Sequence, residues 1–150
     1  MSKKNKKRVV VGGTFDILHK GHKTLLRKAF SLGETLIGVT SDKLAGKSRI
    51  RKVRPFRERE RGLEEFIAKE SFKKAKIAKI EDEFGPTLEE DFDYIVVSPG
   101  TYKTAALINK EREKLGKKPI KIVVINFVLD KDGKILSATK ILENKKVVSK

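Results

Sequence analysis

Short apolar runs alternate along the chain with longer segments in which apolar residues recur every three or four positions. Most of the short runs are apolar at nearly every position, as strands buried on both faces of a parallel sheet are. We therefore predict five strands, in the segments RVVVGG (8–13), ETLIGVT (34–40), AKIAKI (75–80), DYIVVS (93–98) and PIKIVVIN (119–126).

The longer segments have the 3.6-residue period of helices that pack one face against a core. Pro55 suits a first helical turn, Gly33 and Gly116 suit helix ends, and Ser137 is a residue type that caps helices. Helices are predicted in the segments GHKTLLRKAFSLG (21–33), RPFRERERGLEEFIAKE (54–70), GTYKTAALINKEREKLG (100–116) and LSATKILENKK (136–146).

Strands that alternate with helices predict an α/β protein. We expect one domain, residues 1–150, around a single doubly wound five-stranded parallel sheet of the Rossmann-like kind, with basic frayed ends at about 1–7 and 145–150. In such sheets ligands bind beyond the carboxyl ends of the strands, where the strand order reverses. The loop 12–22 leaves the first strand at that edge.

The two histidines of the chain, His19 and His22, both fall in this loop, in the segment VVVGGTFDILHKGHK (9–23). A helix N-terminus attracts an anion, imidazoles in its first turn add donors, and Gly21 lets a ligand approach the backbone. Two histidines are an incomplete metal site, and the segment has no Ser or Cys nucleophile for a catalytic triad. An anion site with imidazole donors is the favoured interpretation, and a purely structural pair of capping histidines is the alternative.

The chain carries 36 Lys and Arg against 20 Asp and Glu, a net charge of +16, and has no cysteine. The lack of cysteine excludes disulfides and thiolate catalysis. The positive excess suits nucleic acid, an anionic membrane or an anionic small substrate. The basic segment 43–61 has a single aromatic residue, Phe56, which argues against a base-stacking surface. No apolar run approaches the roughly 20 residues of a membrane span, so we expect a cytoplasmic protein without a membrane partner. Because a base-stacking surface is lacking, we also expect no specific nucleic-acid partner.

The segment GGTFDILHKGH (12–22) resembles the signature of the nucleotidyltransferases that carry an HxGH motif on a dinucleotide-binding-like sheet. The segments IGVTSDKLAGK (37–47), VRPFRERERGL (53–63) and VVSPGTYKTAALINKEREKLGKKPIKIVVI (96–125) are similar to archaeal phosphopantetheine adenylyltransferases and to the matching domain of animal coenzyme A synthase. The resemblance implies reversible transfer of AMP from ATP to 4'-phosphopantetheine, giving dephospho-coenzyme A and pyrophosphate. It also implies Mg²⁺ carried by the ATP phosphates, without a metal site of the protein's own.

The same resemblance implies roles for individual residues. His22 would stabilise the transition state, His19 the nucleotide phosphates, and Lys43 the acceptor phosphate. The segment ILSATKI (135–141) resembles the closing signature of the superfamily, with a lysine where that signature has an arginine. The residues implied are His19, His22 and Lys43 in catalysis; Gly13, Thr14, Phe15, His19, Gly21, His22, Ser137, Thr139 and Lys140 in ATP binding; and Thr14, Lys43 and Lys103 in acceptor binding.

Other functions stay open at this point. A glycerol-phosphate cytidylyltransferase shares GTFDILHKGH (13–22), and an adenylyltransferase that makes FAD from FMN, or NAD, would share it too. The segments PFRERERGL (55–63) and SPGTYK (98–103) favour the phosphopantetheine enzymes over these. A nucleic-acid-binding module is the less favoured alternative for so basic a chain. The oligomeric state is left open.

Overall fold

The computed structural model describes residues 7–47, 53–129 and 135–143, with side chains as far as residue 125. The strands are β1 (Arg8–Gly13), β2 (Glu34–Thr40), β3 (Ala75–Ile80), β4 (Tyr94–Val97), β5 (Lys121–Leu129) and β6 (Ile135–Glu143). The helices are α1 (Lys20–Leu32), α2 (Asp42–Lys47), α3 (Phe56–Glu70) and α4 (Tyr102–Lys114), with 3₁₀ turns at Gly85–Leu88 and Pro99–Thr101.

The six strands form one sheet in the order β3-β2-β1-β4-β5-β6. β1 to β5 run parallel, so the predicted five-stranded parallel sheet is confirmed. The chain builds outward from β1 to β3, then returns to the other side of β1 to add β4. The strand order therefore reverses between β1 and β4, and a ligand site is expected beyond the carboxyl ends of these two strands.

Two hydrophobic clusters cover the two faces of the sheet, because successive side chains of a strand point to opposite faces. Val9 and Val11 pack with α1 and α3 on one face, and Val10 packs with α4 on the other. Burial on both faces explains why most strands are apolar at nearly every position. In the part of the chain that the structure describes, no helix combines the length and the apolar character needed to cross a bilayer.

β6 corrects the sequence analysis, which assigns 136–146 to a helix capped by Ser137. The strand runs antiparallel to β5 and places Ser137 opposite Val128. The apolar residues of this segment fit either a helical or a strand period, and the edge of β5 supplies backbone hydrogen-bond partners that decide between them. The frayed ends expected at about 1–7 and 145–150 lie, apart from residue 7, outside the described residues.

A short helix that the sequence analysis does not predict, α2, follows β2 after one residue. That residue, Ser41, caps the helix, because its hydroxyl accepts a hydrogen bond from the Leu44 amide at 3.1 Å. Six residues are too few to reveal a helical period in a sequence. The helix brings Asp42 and Lys43 to the carboxyl edge of the sheet.

Candidate active site

A cleft of about 190 Å³ opens at the carboxyl edge of the sheet, beside the ends of β1 and β4. Strands β1, β2 and β4 contribute its floor, and the first 3₁₀ turn and the start of α4 contribute its walls. Gly12, Gly13 and Gly38 lie in the lining, and at Gly12 the lack of a side chain leaves room for a ligand. A side chain at Gly13 would instead meet the ring of Phe15. The rest of the lining is mainly apolar, with Thr40 and Thr101 among its polar members. Such a cleft suits a ligand with an uncharged, partly apolar portion.

The loop that leaves β1 has an uncommon backbone conformation at Phe15, where φ is 51°. Left-handed backbone costs a non-glycine residue roughly 1–3 kcal/mol, so surrounding contacts must hold it. The Phe15 ring is 2% exposed and packs in the cluster that contains Val9 and Val11. Asp16 adds a second anchor, because its carboxylate accepts from both the amide and Nε of Arg54, each at 3.1 Å. The backbone that leads into the two histidines is therefore fixed.

His19 is the N-cap of α1, and its ring accepts hydrogen bonds from the start of the helix. Its Nδ1 lies 3.0 Å from the amide nitrogen of Gly21 and 3.3 Å from that of His22. A ring nitrogen that accepts N–H groups carries no proton, so neutral His19 has its proton on Nε2. The cap thus fixes the tautomer that presents an Nε2–H donor.

His22 stacks on His19, with ring centroids 3.8 Å apart and 18° between the ring planes. Its Nδ1 lies 3.1 Å from the carbonyl oxygen of Ile17 and 3.4 Å from the amide nitrogen of His19. One nitrogen cannot donate to the first group and accept from the second at once, and the shorter distance favours a proton on Nδ1. In that state Nε2 is an acceptor while the ring is neutral and a donor once the ring is protonated.

The cap changes one expectation drawn from the sequence. The amides of Gly21 and His22, which were expected to face an anion, donate to His19 Nδ1 instead. His19 therefore caps the helix, as the structural alternative requires, and its exposed ring keeps an Nε2–H donor that the anion-site interpretation needs. These two amides are therefore engaged within the protein, and anion binding by the imidazoles stays a prediction.

Arg59 of α3 belongs to the site and was missed by the sequence analysis. Its buried guanidinium donates to the backbone oxygens of Thr14, at 2.9 Å, and Arg54, at 2.8 Å. It also donates to the Thr40 hydroxyl, at 3.3 Å, and to the Asp42 carboxylate, at 2.9 Å. One side chain therefore ties the β1 loop, the end of β2 and the start of α2 together.

A signal for Arg59 was present in the sequence. The buried residues of α3 are Arg59, Leu63 and Phe66, spaced by four and three. An arginine thus occupies the first position of a helical stripe that faces the core. The sequence analysis predicts the helix 54–70 but counts Arg59 only among the charges of the basic segment 43–61, because an arginine is rarely buried unless it is paired.

The two lysines predicted to bind the acceptor both lie exposed at the carboxyl edge. Lys43 is in the first turn of α2, next to Leu44, which lines the cleft. Lys103 is in the first turn of α4, between Thr101 and Thr104, which also line it. The structure thus brings both lysines to the elements that border the cleft.

The predicted ATP-binding residues Ser137, Thr139 and Lys140 lie on β6 and not at a helix N-terminus. Ser137 pairs with Val128, in the part of β5 that extends past its last pair with β4, Val97–Val124. β6 also contacts α1, the helix that carries the histidines. Side chains of this strand lie outside the described atoms, so their contact with ATP stays a prediction.

A second buried arginine, Arg112 of α4, supports the far wall of the cleft. It donates to the backbone oxygens of Thr87, at 2.6 Å, and Glu90, at 3.0 Å, and to the Asp91 carboxylate, at 2.7 Å. Thr87 belongs to the 3₁₀ turn that lines the cleft. The hydrogen bond from Arg112 holds the pKa of Asp91 below its ordinary value.

The acidic residues near the cleft do not form a resident metal site. Across the described residues, no group of three or more His, Asp or Glu side chains is placed to hold a metal ion. Asp16 and Asp42 are instead bound by arginines. That a divalent ion comes with the ATP phosphates, and not from a site of the protein's own, stays a prediction.

Comparison with known families defines the class of this chain. The family model described as cytidylyltransferase-like matches residues 10–144, which include most of β1, the histidine loop, the elements around the cleft and β6. The chain, in which the strand order reverses beside a loop with two histidines, is thus a cytidylyltransferase-like protein.

Similar proteins narrow the class. The phosphopantetheine adenylyltransferase of Archaeoglobus fulgidus is 44% identical to this chain, over 89% of this chain and 91% of the relative. The phosphopantetheine adenylyltransferase of Methanopyrus kandleri is 46% identical, over 90% of this chain and 88% of the relative. A crystal structure of a protein with unknown function from Archaeoglobus fulgidus superimposes with a TM-score of 0.74 and 45% identity, covering 79% of this chain and 88% of the other. The chain belongs to the phosphopantetheine adenylyltransferase family.

Proposed function

We propose that the protein transfers AMP from ATP to 4'-phosphopantetheine in the cytoplasm, giving dephospho-coenzyme A and pyrophosphate in a reversible reaction. The observation that carries the proposal is the 44% identity, across 89% of the chain, to a relative named for this activity. The geometry supports it as well. The mainly apolar cleft suits the uncharged pantetheine arm, and the histidine loop at its edge suits phosphate groups.

The reaction needs few groups from the protein. An oxygen of the acceptor phosphate attacks the α-phosphorus of ATP and forms a new P–O bond. The bond from the α-phosphorus to the bridging oxygen breaks, and its electron pair leaves with pyrophosphate. The nucleophile is already an anion, so no general base is required. Positioning of the two substrates and stabilisation of charge on the equatorial oxygens supply the catalysis.

The residues at the loop divide these tasks in the proposal. His19 donates from Nε2 to the nucleotide phosphates, and His22, when protonated, donates to the oxygens that gain charge in the transition state. The backbones of Gly13 and Phe15 line the path of the triphosphate. Gly21 is buried at the start of α1, and it carries no side chain that would separate the triphosphate from the helix. Mg²⁺ bound to the ATP substrate would offset the negative charge of the pyrophosphate leaving group.

Binding of the acceptor is assigned to the side of the cleft formed by β2 and α4. Thr14 and Lys43 hold its phosphate, and Lys103 is a further cation at the rim. Ser137, Thr139 and Lys140 contact ATP from β6. A lysine at position 140 gives a point charge where an arginine would bridge two phosphate oxygens.

Pyrophosphate release from purified protein and Mg-ATP tests the activity. Turnover is expected with 4'-phosphopantetheine and none with pantetheine, which has the same arm but no phosphate nucleophile. FMN and nicotinamide mononucleotide are expected to be poor acceptors. Faster turnover with either of them would contradict the proposed substrate while leaving adenylyl transfer intact.

A cytidylyltransferase acting on glycerol phosphate is the second candidate, favoured by the description of the matching family model. CTP with glycerol phosphate is therefore a necessary arm of the same assay. We expect it to be slow, because glycerol phosphate has no arm to fill the apolar cleft. A higher kcat/KM for this pair than for ATP with phosphopantetheine would favour the second candidate.

A further inference from the structure

A line of hydrogen bonds runs from the buried guanidinium of Arg59 through Thr40 to Thr14, which is predicted to bind the acceptor phosphate. Arg59 Nη1 lies 3.3 Å from the Thr40 hydroxyl oxygen, and that oxygen lies 3.1 Å from the Thr14 hydroxyl oxygen. The Arg59 side chain is 0% exposed, whereas Thr40 lines the cleft. The line thus starts in the interior and ends at the hydroxyl of Thr14, a residue that is 9% exposed in the loop after β1.

The cation gives this line a direction. A guanidinium has only donors, so the Thr40 hydroxyl accepts from Arg59. Thr40 has a single hydroxyl proton, and it is donated to Thr14. Thr14 then accepts from Thr40 and keeps its own proton for another acceptor. A hydroxyl polarised through a chain that begins at a cation is also a stronger donor.

We propose that Thr40 and Arg59 are positioning residues for the acceptor phosphate, which act through the Thr14 hydroxyl. They keep that hydroxyl's proton turned toward the phosphate before the substrate arrives. The proposal rests on the proposed function, because it requires an acceptor with a terminal phosphate at Thr14. It adds that the end of β2 and a buried helix residue tune acceptor binding without touching the acceptor phosphate themselves.

Arg59 is a poor place for the decisive substitution, because it also holds the Thr14 carbonyl, the Arg54 carbonyl and Asp42. Thr40 is a better one, since Thr40→Val keeps the shape of the side chain and leaves the other three Arg59 contacts in place. Thr35→Val is the matched control. Thr35 lies on the same strand, is buried, and donates its hydroxyl to the Gly33 carbonyl at the opposite end.

The first measurement is pyrophosphate release with each substrate varied in turn. Thr40→Val should lower kcat/KM for the acceptor about 10-fold, the size expected when a hydrogen bond to a charged group is lost, and shift KM for ATP less than twofold. Thr40→Ser, which keeps the hydroxyl, should recover most of the loss, and Thr35→Val should move neither parameter. Equal losses for both substrates in Thr40→Val would overturn the proposal.

The second measurement asks whether Thr40 acts through Thr14. Thr14→Val and the double variant Thr14→Val/Thr40→Val should lose the same amount of acceptor kcat/KM, because nothing remains for Thr40 to orient. Independent, additive losses would mean that Thr40 contacts the substrate directly and would refute the relay. Should Thr40→Val fail to fold, by circular dichroism, Thr40→Ala takes its place in both measurements.

Failure of this proposal is distinguishable from failure of the proposed function. The wild-type protein is assayed first against the panel of phosphorylated acceptors. If an acceptor other than 4'-phosphopantetheine is fastest, the proposed substrate is wrong, and the Thr40 variants are measured with that acceptor. The relay predicts the same acceptor-specific loss for any terminal phosphate, and its absence would refute the relay alone.

Discussion

At the scale of single residues, the shape of the histidine motif and its chemistry are coupled. His19 Nδ1 accepts hydrogen bonds from two amides in the first turn of α1, so the hydrogen bonds that cap this helix also determine which ring nitrogen carries the proton. Protonation of Nδ1 would remove the acceptor from both amides. The stacked ring of His22 is oriented by a different backbone group, the Ile17 carbonyl. The two adjacent imidazoles, when neutral, therefore both present Nε2, which carries the proton in His19 and lacks it in His22.

Substitutions at His19 can separate the cap from the donor. His19→Asn retains an N-cap oxygen but loses the imidazole, so its stability should stay near wild type while turnover falls. His19→Ala loses both, and its free energy of unfolding should fall by about 1 kcal/mol. Urea denaturation and pyrophosphate release measure the two effects. Equal stability of the Asn and Ala variants would contradict the capping role.

His22 should matter to turnover more than to folding. In His22→Ala, kcat is expected to fall by roughly 10²–10³, as when a preorganised donor to a developing oxyanion is removed. Circular dichroism should confirm that the variant is folded before the rate is measured. A folded His22→Ala protein with near wild-type kcat would show that this imidazole has no part in the transition state.

At the scale of elements, α3 and α4 share one design. Each helix places an arginine in its buried stripe, and each arginine binds backbone oxygens of loops that shape the cleft. A guanidinium suits this use because its donors point to several carbonyls at once and it stays charged. The two helices thus position the cleft loops as well as covering the sheet.

The Arg112–Asp91 pair on α4 predicts a pH dependence. The pKa of Asp91 is lowered by the hydrogen bond from Arg112, so the pair stabilises the fold above the unfolded-state pKa of about 4. That contribution is lost as the pH falls through the lower folded-state pKa. Asp91→Asn should therefore be less stable than wild type at pH 7, and the difference should shrink in acid.

Urea denaturation at pH 7 and at several acidic pH values measures this difference. Asp91 is 85% exposed, so solvent and salt keep the effect small. Glu89→Gln, a change to an exposed neighbouring carboxylate, serves as the control. A difference between wild type and Asp91→Asn that stays constant down to pH 2 would contradict the assigned cause.

The elements also show how far sequence reasoning reaches. The bounds of β1, β2 and β3 were predicted to the residue, because glycines, charges and helix starts flank compact apolar runs. β6 was predicted as a helix, since a short segment fits both periods until a partner strand is known. The histidine pair was found because its motif is contiguous. Arg59 was missed because its contact with the Thr14 carbonyl spans 45 positions, and no local pattern reports such a contact.

At the scale of the whole molecule, the sheet topology places the cleft at the carboxyl edge of the sheet, and the net charge favours anionic ligands there. The reversal of strand order between β1 and β4 places the loops of both strands beside one cleft. The net charge of +16 gives the protein a field that attracts anionic substrates from a distance. The same field should attract nucleic acid without reading its sequence.

Binding to DNA or RNA is therefore expected to be weak, independent of sequence and steeply reduced by salt, as counterion release requires. Fluorescence anisotropy with labelled oligonucleotides of unrelated sequence, at salt concentrations from about 50 to about 300 mM, measures this affinity and its salt dependence. Tight binding near physiological salt that discriminates among the oligonucleotides would support a nucleic-acid function in place of, or beside, adenylyl transfer.

β3 is the outermost strand on its side of the sheet, and its residues Lys76 and Lys79 are exposed. An open strand edge invites another chain to add a strand of its own, which is a common route to aggregation. Lysines along such an edge oppose it, because a second copy would bring like charges into register. Part of the positive charge of this protein thus lies on an open strand edge, where it opposes the addition of a further strand.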